Sequence, residues 1–371
     1  MKKMKWMALL LSLALVFGLT ACSSSSSSSD TSDDASADSS TSSETESSSV
    51  ADVSEIISAG DTITIICPYG VGGTADLVAR QWAYVAGELY SDYNWIVENV
   101  TGGDGFTAAI QYAEEDVDTT DLLVYGYGVA YRHDLGTTYG TETVEFDRDS
   151  FYPIVSVDDR TWILYAEAGT TLEDVLAAAA EGTLKMSGGN PLSDPHLSLG
   201  SLLAEYGYSV TAIAYDGGAA QVKALTDGEV DVFMGTASAG MEYVEAGTIV
   251  PLLAFSEEAF EGFVDSDGNA ITVPSVAGDD KSDVLDADID FSGSILAAGG
   301  TIATRNGASD AWIDFITEVG EAVWASSDFT DWLGEQLLNV NPMYGDDCVT
   351  YIDNACVKAL SAYELLSGTT E

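Results

Sequence analysis

The groups in this chain most suited to chemistry lie between Thr62 and Arg80. Ile63 to Cys67 is an uncharged, β-branched run that reads as a buried strand, and Pro68, with no N–H to give, ends it. Gly70, Gly72 and Gly73 then free the backbone for a tight turn. Thr74 is placed to cap a helix on which Val78, Trp82, Val85, Ala86 and Leu89 recur at helical spacing. A helix that begins just past a strand presents unpaired N–H groups at the positive end of its dipole, and such an end attracts anions. The expected chemistry is recognition of a negative group by neutral donors. The turn is not a dinucleotide fingerprint, because Ala75 stands where the last glycine would fall, and no lysine follows it as in a P-loop. A tight turn that merely packs a helix on a sheet fits the same residues.

Residue counts narrow the alternatives. Two histidines in 371 residues, with no H-E-x-x-H, no G-x-S-x-G and no clustered Cys and His, leave neither a catalytic triad nor a zinc site easy to assemble. No cofactor and no metal is expected, and the chain does not read as an enzyme. Acids are so plentiful that glycosidase-like paired carboxylates stay open. The formal charge is −49, or −52 without residues 1–21, which carry three lysines and no acid. Such a surface repels nucleic acid and anionic lipid, and keeps a protein soluble.

The first 21 residues read as a signal peptide: Lys2, Lys3 and Lys5, then an apolar run from Met7 to Leu19 that is short for a membrane span. Leu19, Thr20, Ala21 and Cys22 resemble a bacterial lipobox, which implies that Cys22 is acylated and holds the chain on the lipid bilayer. Residues 22–58 then read as the lipidated cysteine and a disordered tether, with Ser23 to Ser49 almost wholly Ser, Thr, Asp, Ala and Glu. The expected location is the extracytoplasmic face of the cell membrane. Cys67 reads as a small buried hydrophobe, and Cys348 and Cys356, eight apart, as free thiols.

Roughly 310 residues remain, enough for two cores. Three strand-like runs, Ile63 to Cys67, Asn94 to Asn99 and Leu122 to Tyr125, each end in glycines and lead toward a helix, the pattern of an open α/β sheet with ligands at the carboxyl ends of its strands. From Thr161 a second block alternates strands at Ile163 to Ala166, Leu184 to Ser187, Val210 to Tyr215, Val230 to Met234 and Ile249 to Phe255 with helices, and reads as a second parallel sheet. Thr171 and Asp194 read as helix caps, with Pro195 at the first position after Asp194. Residues 256–285 read as an irregular connection and Phe291 to Ala297 as a strand. Helices from about Ser309 to Leu338 and from Val349 to Leu366 end the chain. These last helices need a sheet to cover, so the chain is expected to cross back. Lobe 1 then comprises 59–160 and 288–371, lobe 2 comprises 161–287, and a two-strand hinge lets the lobes close on a cleft.

In order and spacing, several motifs are similar to those of substrate-binding proteins of tripartite tricarboxylate transporters, also called Bug-type receptors. They are Pro68 with Gly72 to Arg80, Glu98 to Gly105, His196 with Leu197, Ala214 to Ala219, Gly228 to Asp231 and Val273 to Ala277. The resemblance spans residues 60 to 365. It implies a type II periplasmic-binding-protein fold that captures a small carboxylate, a di- or tricarboxylate or an acidic amino acid, for the permease subunits of such a transporter. It further implies one cleft wall of Tyr69, Gly72, Gly73, Thr74 and Asp76 with Gly103, Asp104, Gly105 and Phe106. The facing wall would be Ser187, Gly188, Gly189, Tyr215, Gly218, Ala219, Thr236 and Ser238. Alternatives are a receptor that presents its ligand to a membrane sensor kinase, and a hydrolase with paired carboxylates. Beyond these walls, His196 reads as a packing or capping residue, Arg132 and His133 as a solvated loop pair, and Asp231 as a loop anchor. Tyr125, Tyr127 and Tyr131 line the cleft or pack between lobes.

Overall fold

In the computed structural model, which describes residues 52–188, 190–215 and 218–368, strands and helices alternate from the first glycine turn onward. β1 (Thr62–Cys67) leads to α1 (Thr74–Leu89), β2 (Asn94–Asn99) through a short 3-10 turn to α2 (Phe106–Ala113), and β3 (Leu122–Gly126) directly into α3 (Tyr127–Tyr139). β4 (Phe151–Asp159) and β5 (Trp162–Glu167) are separated only by Arg160 and Thr161. Next come α4 (Leu172–Ala180), β6 (Lys185–Gly188), α5 (Asp194–Glu205), β7 (Thr211–Ala214), α6 (Gly218–Thr226), β8 (Val232–Thr236), α7 (Ala237–Glu245) and β9 (Ile249–Phe255). A hairpin of β10 (Phe260–Val264) and β11 (Ala270–Val273) precedes β12 (Gly299–Arg305), and α8 (Asp310–Ala325), α9 (Ser327–Glu335) and α10 (Asp346–Ser367) complete the described chain.

The strands form two five-stranded sheets, β2-β1-β3-β12-β4 and β7-β6-β8-β5-β9. Both are mixed. β12 runs antiparallel to β3 and β4, and β5 antiparallel to β8 and β9. The even spacing of the second block suggests a parallel sheet, and the topology corrects that. β4 leaves the first sheet at the edge where β1 and β3 end, so its continuation β5 enters the second sheet at the edge where β6 and β8 end, and must run against them. β12 enters the first sheet the same way. The two crossings touch where the Arg160 N–H donates to the Ala298 carbonyl at 3.0 Å.

Apolar helix faces cover the sheets. Trp82 of α1 and Trp312, Phe315 and Ile316 of α8 bury themselves against β1 and β4, while α2, α3 and α10 pack on the other face around Tyr112, Tyr125 and Phe151. In the second sheet Leu164, Met186 and Met234 face one cluster with α5, and Tyr165 and Phe233 face the other. Cys67, Cys348 and Cys356 are buried free thiols. Among the described residues no helix is long and apolar enough to cross a membrane.

Several local expectations change. β4 carries no clear strand signal, because Pro153 interrupts it and two acids end it, yet it is buried along most of its length. Phe291 to Ala297 holds a 3-10 turn (Ser292–Ser294), the strand beginning instead at Gly299, whose φ is +133°. The β10–β11 hairpin lies inside the stretch that reads as irregular. Arg132 and His133 are not a solvated loop pair: they lie on α3, and Arg132 is buried. Cys22, residues 1–21, the tether as far as residue 51, and Gly189 lie outside the described residues.

Candidate functional site

α1, α2, α3, α5 and α7 all begin at carboxyl ends of strands, and none has a side-chain cap. Their N-cap positions are Gly73, Gly105, Gly126, Ser193 and Thr236. Thr74 and Asp194, expected as caps, are instead the first helical residues. Helices placed elsewhere are closed off: Thr171 and Asp174 form a capping box on α4, and Ser309 and Ser326 cap α8 and α9. α10 is uncapped but carries Asp346 and Asp347 in its first turn. Each helix start holds N–H groups with no partner inside the helix, so five such starts make a surface rich in neutral donors.

The first turn is held from beneath. Asp76, 1% exposed, accepts from the Gly72 N–H at 2.9 Å, from Asn99 Nδ2 at 2.8 Å and from Arg80 Nε at 3.1 Å. Burial pushes its carboxyl up, but the bonds from Arg80, Gly72 and Asn99 outweigh burial and hold it below the ordinary range. Asn99 also donates to the Tyr69 carbonyl at 2.9 Å, tying β2 to the turn. The Gly73 N–H donates to the Gly70 carbonyl at 3.2 Å, so Gly72 and Gly73 shape the turn. The N–H groups of the first helical turn, from Thr74 to Asp76, have no partner inside the helix and no side-chain cap.

In the second turn Gly102, Gly103, Asp104 and Gly105 all have positive φ, at +130°, +58°, +55° and +99°. The left-handed region is costly for Asp104, and Arg132 fixes it there: Nη1 donates to the Gly103 and Asp104 carbonyls at 3.2 and 3.1 Å, while Nη2 pairs with Glu142 at 2.6 Å. Phe106, expected on the cleft wall, is buried under the Arg132 guanidinium and edge-on to Phe146. Tyr69 lies across this floor, its hydroxyl 3.0 Å from where a Cβ on Gly126 would stand and 3.5 Å from that of Gly105. Burial first, then the Asp104 and Asp194 carboxylates, push its phenol far up, so it stays a neutral donor.

The facing edge is more mixed. Thr236 and Ser238 meet through their hydroxyls at 3.1 Å, and Thr236 Oγ1 reaches Thr74 Oγ1 across the lobes at 3.4 Å. Ser187 is fully buried and donates to the Gln221 carbonyl, and the Gly188 carbonyl accepts from the Tyr215 N–H, so both anchor local structure. The Tyr215 hydroxyl is engaged with Glu229 at 2.8 Å. Gly218 and Ala219 open α6 and are exposed. Asp231 fixes a loop as expected, accepting from the Lys185 N–H, and buried His196 makes a 2.6 Å contact with the Pro191 carbonyl. Burial depresses the His196 imidazole, keeping it neutral.

No protein-family model matches the chain, and no curated protein matches its sequence. Solved structures do match its shape. Rpa4515 of R. palustris with adipate aligns at TM-score 0.68 and 19% identity, over 83% of this chain and 97% of that one. MatC of Rhodopseudomonas palustris with malate aligns at 0.64 and 17%, over 82% and 99%. A TctC solute-binding protein from Polaromonas aligns at 0.58 and 18%, over 83% and 98%. The chain has the fold of the TctC-type solute-binding proteins.

Within that TctC-type fold, sequence reasoning passes over two groups. Arg160, between the crossing strands, is held by Asp158, which is fully buried, through Nε and through Nη2 at 3.1 Å. The guanidinium groups nearest Tyr69, Arg160 and Arg132, thus both have carboxylate partners. Asp194, read as a cap, instead reaches across to lobe 1, its Oδ1 2.9 Å from where a Cβ on Gly128 would stand. Only its position in the first turn of a helix after a strand hints at this. Among the described residues no group of His, Cys, Asp and Glu is arranged to hold a metal ion.

Proposed function

We propose that this chain is an extracytoplasmic solute-binding lipoprotein, not an enzyme, that closes two lobes on a small carboxylate and delivers it to a tripartite tricarboxylate-type permease. The observation that carries this reading is the set of five uncapped helix starts at the strand ends of two lobes that meet at Thr74 and Thr236. Neutral N–H groups already fixed in direction bind an anion with little ordering cost. Proteins of the same fold with adipate and with malate support a carboxylate ligand. The lobes proposed are 59–160 with 288–371, and 161–287, hinged at Arg160 and Ala298. Acyl chains on Cys22 hold the body at the membrane through its acidic tether.

The net charge of −49 opposes capture of an anion at long range, but at physiological salt it is screened over about 8 Å, leaving the short-range donors to decide. The test is a thermal-shift panel of mono-, di- and tricarboxylates and acidic amino acids. A ligand at 100 times its dissociation constant adds about 2.7 kcal/mol to stability. A panel with no shift overturns the reading.

A further inference from the structure

Among the described residues, no cationic group acts on the Asp194 carboxyl. Asp194 projects from the start of α5 to the start of α3, where its Oδ1 and the Tyr131 hydroxyl approach the same point beside Gly128, at 2.9 and 3.4 Å from a Cβ built there. Tyr131 is 1% exposed and its hydroxyl has no hydrogen-bond partner among the described residues, and the same holds for Ser193 Oγ, the residue before Asp194. A buried hydroxyl with no partner and a carboxyl that accepts only from its own N–H thus stand beside Gly128 where the lobes meet. Buried polar groups are ordinarily partnered, so this grouping points to a ligand that supplies the missing bonds.

We propose that Asp194 makes the cleft selective for a carboxylate that also carries an ammonium group, an amino acid in preference to a plain di- or tricarboxylate. The inference rests on the carboxylate-binding reading above. The charged neighbours exclude the simpler remedy of an internal salt bridge. Arg132 is matched by Glu142 and Asp104, and Arg160 by Asp158. What faces Asp194 is the Asp104 carboxylate, the hydroxyls of Tyr69 and Tyr131, and its own N–H. Burial, then Asp104, push its carboxyl up to about 7. A plain dicarboxylate brought between the lobes adds a third negative group, whereas an ammonium neutralises Asp194 and donates to it. Carboxylate oxygens of the same ligand remain for the uncapped helix starts.

The test uses two pairs that differ only in the amino group, L-glutamate with glutarate and L-aspartate with succinate, titrated calorimetrically at pH 8 and pH 6. The amino member should bind at least about tenfold tighter at pH 8, the size of one charge-assisted hydrogen bond. That preference should shrink about tenfold at pH 6. The Asp194 carboxyl, pushed up to about 7 without ligand, passes from mostly ionised to mostly protonated between those pH values, the plain acid's charge favours its protonation further, and the ammonium keeps it ionised. Asp194→Asn should remove the preference and its pH dependence together, and the wild-type pH series stands alone if that variant fails to fold. Equal binding within each pair at both pH values overturns the selectivity and leaves the carboxylate reading intact. Binding of none of the four acids overturns the selectivity, and the carboxylate reading then stands or falls on the wider thermal-shift panel.

Discussion

Removing the Asp76 carboxylate should loosen the first turn without touching any group that faces the cleft. In Asp76→Ala the Gly72 N–H and one Asn99 N–H lose their acceptor, at about 1–3 kcal/mol for each donor left unsatisfied. The Arg80 partner is 42% exposed and can turn to water, so its share is at most about 1 kcal/mol. Together these give a loss of about 2–7 kcal/mol, or a fall in melting temperature of roughly 3–10 °C for a body of this size. Asp76→Asn, which keeps one acceptor, should fall between. The folded-state pKa lies below the ordinary value, so this stabilisation is fully present above about pH 4 and is lost as pH falls through the folded value. Urea unfolding at pH 7 and pH 3.5 measures both: the wild type should lose part of its margin over the variant at the lower pH. Ligand binding should weaken in the same variants, because Thr74 to Asp76 depend on that turn for their direction. A variant within ~0.5 kcal/mol of wild type, or one that is destabilised yet binds normally, refutes the idea that Asp76 holds a binding turn in place.

Three further outcomes follow from the same geometry. Gly105→Ala places a Cβ 2.7 Å from Val129 Cγ2 at φ +99° and should reduce stability by about 1–3 kcal/mol and weaken binding, whereas Gly60→Ala, at φ +94° with nothing within 4 Å, should leave binding unchanged. The depressed imidazole of His196 means that the unfolded chain takes up its proton first, so stability should fall as pH drops below about 6.5, and His196→Gln should flatten the urea midpoint between pH 7 and pH 5. Cys348 and Cys356, with burial pushing both thiols up to about 12, should be inert to Ellman's reagent in the folded protein and react once guanidinium unfolds it.

Much of the architecture is readable from periodicity, because each βα unit writes its own signal. β1, its glycine turn and α1 stand where the β-branched run and the helical spacing place them, and β9 matches residue for residue. What the pattern does not carry is direction. Whether β5 runs with or against β8 depends on which edge the chain enters, a property of the whole path and not of Trp162 to Glu167. The site divides on similar lines. Backbone donors are foreseeable because glycines and helix starts mark them. The roles of Asp76, Phe106, Ser187 and Tyr215 depend on which partner each side chain finds, and Arg80, Arg132, Gln221 and Glu229 lie 4, 26, 34 and 14 residues away. Asp194 is legible only as a helix-start acid, since the lobe it faces is 66 residues upstream at Gly128.

In the proposed function, peptide N–H groups at uncapped helix starts, with no lysine or arginine devoted to the task, grip a negative ligand inside a strongly acidic protein. A crystal structure of the complex with the tightest-binding acid of the panel tests it most directly. Carboxylate oxygens should lie about 3 Å from N–H groups at the starts of α1, α3 or α7. A ligand held chiefly by arginine side chains, or seated away from the strand ends, would contradict it.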